Sequence, residues 1–188
     1  MIKIKEIKEK CKGRFLSLKE VFYEYKGKNK RWEVCSSMDS VSCLIYDKDK
    51  DALVFVKQFR LPVYLKNSDG FTYELCAGLC DKNLCSVDTI REEIFEEVGY
   101  KVENEKIEFI TSTWASVGSN AARQEVFYVE VSQKEKVNEG GGLEDEDIEV
   151  VYIPIKEIEK FLFNEDIIIT PGAKMAVLWW LNYKKEKR

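Results

Sequence analysis

The chain has 188 residues, of which 45% are hydrophobic; it has no histidine and carries a formal net charge of −4. That length and apolar content suit a domain with a sizeable core, and the acidic balance argues against general affinity for nucleic acid, which is driven by Lys and Arg displacing counterions. Without histidine the commonest general base is missing, so acid–base chemistry near neutral pH falls to carboxylate, lysine, tyrosine, thiol or metal-bound water.

The N-terminus, MIKIKEIKEKCKGR, is charged throughout and is unlike a signal peptide. No apolar run approaches the roughly 18 residues that cross a bilayer. The six cysteines, at 11, 35, 43, 76, 80 and 85, form no C-x-x-C pair. With no histidine beside them, a zinc site is not expected, and a cytoplasmic chain with reduced thiols is.

Residues 14–25 alternate apolar and polar side chains and predict a strand. KGKNK then turns into a second strand at RWEVCS, giving a hairpin and a small N-terminal sheet or arm over residues 1–38. Trp32 there reads either as hydrophobic filler or as a stacking platform for a base. SVSCLIYD (40–47) and ALVFVKQF (52–59) are rich in β-branched and aromatic residues and are joined by the charged turn KDKD. Arg60 follows at the strand exit, and Pro62 stops the strand from continuing inside a sheet. An arginine in that place is either simply solvated or a planar fork for a diphosphate.

NSDG (67–70) predicts a turn, and FTYELCAG (71–78) a short strand whose Glu74 alternates with apolar neighbours. A helix is expected from Ser86 as N-cap to Gly99 as C-terminal stop, with Val87, Ile90, Ile94 and Val98 at helical spacing. KIEFITSTWAS (106–116) predicts a strand. The small-residue loop GSNAA leads through Arg123 into another from about Gln124 to Val131. NEGGGLEDED (138–147) predicts a flexible acidic loop, and IEVVYIPI (148–155) a strand turned by Pro154 into the helix IKEIEKFLF. The last helix, TPGAKMAVLWWLNYKK, has Pro171 near its start and basic residues at its end. Its Trp179–Trp180 pair suits a core or an interface. Neither repeat nor linker divides residues 39–188, which are expected to form one domain.

The acidic residues of the first helix point to chemistry. Glu93, Glu96 and Glu97, at i, i+3 and i+4, share nearly one face, where like charges repel. A solvated acidic face is one reading. The other is a site for a hard cation such as Mg²⁺, which prefers oxygen ligands.

The surrounding stretch resembles the Nudix box, G-x5-E-x7-R-E-U-x-E-E-x-G-U with U a bulky apolar residue. Gly78, Glu93, Ile94, Glu96, Glu97, Gly99 and Tyr100 fall in register. Two positions depart: Leu84 stands for the first glutamate and Glu92 for the arginine, which leaves Arg91 as a candidate to orient the glutamates. VFVKQFRLPVY, YELCAG and GGGLEDEDIEVVYIP extend the resemblance to the branch of the Nudix family that hydrolyses nucleoside diphosphate sugars. Within it the sequence is most similar to UDP-sugar pyrophosphatases, with ADP-ribose pyrophosphatases as near relatives.

The resemblance implies an α/β/α sandwich on a mixed sheet. It implies Mg²⁺, with Mn²⁺ as the alternative, held by Glu93, Glu97 and the carbonyl of Ala77, with Glu96 close behind or on a second metal. Glu144 or Glu146 would be the catalytic base. Arg60, Glu74 and Arg123 would meet substrate, and Trp32 would wall the base site across a homodimer. Hydrolysis would yield a nucleoside monophosphate and a sugar phosphate. A Nudix-fold module that binds a nucleotide sugar without turnover, and an enzyme for another diphosphate, are the competing readings.

Overall fold

The structure, a computed structural model, describes residues 1–14, 16–143 and 146–184. The chain divides into two compact units, residues 1–40 with 112–124, and residues 41–111 with 125–188.

In the first unit, β1 (Ile2–Lys12), β2 (Ser17–Tyr25) and β3 (Lys28–Ser36) form a three-stranded antiparallel sheet in chain order. The β2–β3 hairpin closes through Lys26 and Gly27, both left-handed at φ 53 and 71, the geometry that matches strand twist in a two-residue turn. The hairpin is thus tighter than the five-residue turn expected. Strand β1 goes beyond the expectation altogether: the charge of IKIKEIKEK masked a period of two. The alternation gives the sheet one apolar face, with a groove lined by Ile2, Ile4, Val21, Tyr23, Trp32 and Val34. On its other face Glu20 is buried between Lys10, 2.8 Å away, and Arg31, 3.1 Å away.

The large sheet is built from β4 (Ser40–Asp47), β5 (Ala52–Phe59), β6 (Phe71–Glu74), β7 (Cys76–Leu79), β8 (Glu108–Ala115), β9 (Ala122–Val131) and β10 (Ile148–Pro154). Its order is β10-β5-β4-β9-β8, with β6 beside β5 and β7 beside β4. The helices are α1 (Leu61–Asn67), α2 (Ser86–Val98), α3 (Ile158–Leu162) and α4 (Pro171–Tyr183). Strands buried on both faces send alternate side chains to opposite sides. Val41, Cys43, Ile45, Val54, Val56 and Cys76 meet Ile90, Ile94 and Val98 of α2. Leu44, Tyr46, Leu53 and Phe55 meet Ile158 and Leu162 of α3 and Ala173, Ala176, Val177 and Trp180 of α4. The result is the expected α/β/α sandwich on a mixed sheet. Full burial of Ile90 and Ile94 contributes about 1.5–3 kcal/mol each, which fixes the face that α2 turns to the sheet.

Three details depart from expectation. Pro62 does more than end β5: it lies in the first turn of α1, where its missing N–H and fixed φ suit a helix start. FTYELCAG is two strands, because the chain leaves β5 at Leu75 to pair with β4. At the end of α4, Lys184 pairs with Glu108 and lies over the Tyr128 and Trp179 rings. Of the tryptophan pair, Trp180 is fully buried against Tyr46 and serves the core. Among the described residues no helix is long and apolar enough to cross a membrane.

Candidate active site

Helix α2 is fixed at both ends. Cys85, not Ser86, occupies the N-cap position, and its Sγ donates to Asp88 Oδ2 at 2.9 Å. Gly99 ends the helix in the left-handed conformation, φ 73. The carbonyls a helix leaves without partners at its C-terminus are met by the following loop. The amides of Gly141 and Gly142 donate to the Glu97 and Glu96 carbonyls at 2.9 and 3.1 Å, and Lys136 Nζ donates to Val98 O at 2.9 Å. Gly140, Gly141 and Gly142 all take positive φ, at 75, 109 and 81, which L side chains rarely adopt. The glycines expected to make the loop flexible therefore tie it to the box helix.

The sheet presents the other half of the site. Glu97 is only 3% exposed, and its Oε2 accepts the Ala77 N–H at 2.9 Å. Glu93 lies over Gly78: a Cβ there would stand 2.0 Å from Glu93 Oε1, so no other residue fits without displacing that carboxylate. Burial, with the charges of Glu96 and Glu146 added, pushes Glu93 up to about 7. Burial pushes Glu97 up to about 8, assisted by Glu93 and Glu146 and opposed by hydrogen bonds from Ala77 and Cys76. Glu146 is carried by the glycine-rich loop and accepts the Leu143 N–H at 3.0 Å. Glu144 lies outside the described residues.

Arg60 faces this acidic centre. Its Nε and Nη2 donate to Glu74 Oε1 and Oε2 at 2.7 and 2.9 Å, and Thr72 Oγ1 donates to Glu74 Oε1 at 2.6 Å. Burial works to raise the Glu74 carboxyl, but the Arg60 and Thr72 bonds outweigh it and hold the group low. The bond to Glu74, with the charges of Glu97 and Glu146 nearby, raises Arg60 in turn. Thr72 had a sequence signal, since it stands two residues before Glu74 and so shares its strand face.

Ala77, Glu93, Glu96, Glu97, Glu146, Arg60 and Glu74 are thus gathered in the second unit. Trp32 and Arg123 belong to the first. Trp32 Nε1 donates to Gly118 O at 2.8 Å and fastens the small-residue loop, while the Arg123 amide donates to Asp39 Oδ1 at 2.8 Å. Arg91 is held by Asn104 at 3.0 Å and Asp88 at 3.2 Å, which turns it away from orienting the glutamates.

The donor set suits a hard divalent cation. The buried Glu97 and the half-buried Glu93 stand beside a strand end, and both are raised by burial and by neighbouring negative charge. Among the described residues no three acidic or thiol groups stand close enough to form a ready coordination sphere.

Residues 36–171 match the NUDIX domain family, and the chain belongs to it as a Nudix hydrolase. It is 31% identical to a uridine diphosphate glucose pyrophosphatase of Bos taurus, over 85% of each chain. It is 32% identical to a GDP-mannose pyrophosphatase of Enterobacter sp. (strain 638), over 96% of this chain and 95% of that one. Nudix hydrolases generally use divalent metal ions.

Proposed function

We propose that this protein is a Mg²⁺-dependent hydrolase of a nucleoside diphosphate sugar of the UDP-glucose type, releasing a nucleoside monophosphate and a sugar 1-phosphate. The observation that carries this reading is the pair Glu93 and Glu97, raised by burial and neighbouring negative charge and held against the Ala77–Gly78 strand end with Arg60 nearby. Glu93, Glu97 and the Ala77 carbonyl hold the cation, and Glu96 supports it from the same helix face. The cation supplies charge neutralisation of the diphosphate and a more acidic water. Arg60, kept charged and oriented by Glu74, forks onto a phosphate. Glu146, whose charge acts on both Glu93 and Glu97, or Glu144 of the same loop takes the proton from the attacking water.

GDP-mannose is the alternative substrate suggested by relatives, and ADP-ribose, cleaved to AMP and ribose 5-phosphate, the one suggested by the sequence resemblance. A module that binds without turnover is the reading of another class. The apolar face of β1–β3, with Ile2 60%, Ile4 54% and Trp32 55% exposed, supports a homodimer formed through that sheet, with Trp32 and Arg123 contributing to substrate binding in the dimer. The six cysteines form no disulfide among the described residues, in keeping with a cytoplasmic setting, and the sheet of residues 1–38 serves as the arm of a catalytic domain over 39–188. The test is product release from UDP-glucose, GDP-mannose and ADP-ribose side by side, with Mg²⁺, with Mn²⁺ and with chelator. Cation-dependent release of UMP and glucose 1-phosphate supports the reading. Preference for another of the three moves the substrate, and binding without turnover of any of them refutes the hydrolase assignment.

A further inference from the structure

Position 92 of α2 is a glutamate where the box pattern has arginine. Glu92 stands beside Glu93 and four residues before Glu96, so it adds another carboxylate to a helix flank whose members already repel. Lys82, in the loop between β7 and α2, answers it. The Lys82 Nζ lies 2.7 Å from Glu92 Oε2. The bond to Glu92 raises Lys82, and the charges of Glu96 and Glu93 add to this. Lys82 and Glu92 retain 49% and 35% side-chain exposure, so as a surface ion pair they add little to folding stability. What the pair controls is where the Glu92 carboxylate points.

We propose that Lys82 is a positioning residue: by pairing with Glu92 it holds that carboxylate on the flank of α2 and keeps it from competing with Glu93, Glu96 and Glu97 for the cation. The inference rests on the reading of that face as a divalent-cation site. Glu92 then has no task in catalysis and does harm only when Lys82 is missing. The departure at position 92 is tolerated because the loop, rather than the helix, carries the positive charge.

The test compares the wild-type protein with Lys82→Met, Glu92→Gln and the double variant. Mn²⁺ is titrated into each without substrate and followed by the electron paramagnetic resonance of the free ion. The kcat and KM for UDP-glucose are measured at saturating cation. Lys82→Met uncovers a negative charge beside the site, so it binds Mn²⁺ about fivefold tighter. It also loses about fivefold or more in kcat at unchanged KM, because the cation is drawn off its productive position. Glu92→Gln stays within about twofold of wild type, and the double variant recovers both quantities. Unchanged Mn²⁺ affinity in Lys82→Met overturns the proposal. So does a rise in KM that Glu92→Gln fails to suppress, which makes Lys82 a direct phosphate contact. If the wild-type protein turns over none of the nucleotide sugars, the hydrolase reading fails, and the Mn²⁺ affinities still decide the role of Lys82.

Discussion

Glu97 offers the sharpest perturbation. Its carboxyl rises from an ordinary 4.5 to about 8 in the folded protein without a cation, so folding favours the protonated form. A raised carboxyl contributes stability that is fully present below pH 4.5 and lost as the pH climbs through about 8. At ~1.4 kcal/mol per pH unit the ceiling is ~5 kcal/mol, and relaxation of the helix end with entry of water brings the expected loss to ~2–3 kcal/mol. For a protein of this size that is roughly 5–10 °C in Tm. Glu97→Gln removes the titration while keeping an oxygen for the Ala77 N–H. In chelator, wild-type Tm should fall steeply between pH 5 and 9, and the variant should fall less, so that the variant is the more stable protein at pH 9. Mg²⁺ at pH 8 should restore the wild type and leave the variant unmoved. Thermal melts followed by circular dichroism read both. Parallel pH curves for the two proteins would refute the claim that burial of Glu97 outweighs the hydrogen bonds it accepts.

Gly78→Ala places a methyl 2.0 Å from Glu93 Oε1; turnover should drop about 100-fold or more through displacement of that carboxylate, with Tm nearly unchanged. Equal turnover would separate Glu93 from the chemistry. Arg60→Lys keeps the charge but loses the two-pronged bond to Glu74. It should raise KM about tenfold with a smaller change in kcat, and a KM equal to wild type would place the diphosphate elsewhere. Ile4→Asp puts a charge into the apolar groove of the small sheet. It should convert a dimer to monomer in sedimentation velocity, and an unchanged mass would remove that face from the interface.

Strands β4 and β5 were legible from β-branched and aromatic residues that the sheet buries on both faces, and helix α2 from apolar residues at helical spacing. Strand β1 was obscured by lysines and glutamates that occupy its solvent-side positions. Helix α1 was hidden because a proline that stops a strand also begins a helix. The split at Leu75 depends on which neighbour each half pairs with, and no local pattern encodes that. At the site, the spacing of Glu93, Glu96 and Glu97 put three carboxylates on nearly one helix face, whereas the approach of Glu93 to Gly78 shows only in the fold. Arg91 was misjudged as an orienting partner because its sequence position says nothing of Asn104, thirteen residues on, which holds it. Lys82 escaped notice for the same reason: ten residues separate it from Glu92, and only the fold of the loop brings them together.

The bonds from Gly141 and Gly142 to the last turn of α2 make the acidic helix and the glycine-rich loop a single mechanical body up to residue 142. An insertion ahead of Gly140 would disturb the loop and the end of α2 at once.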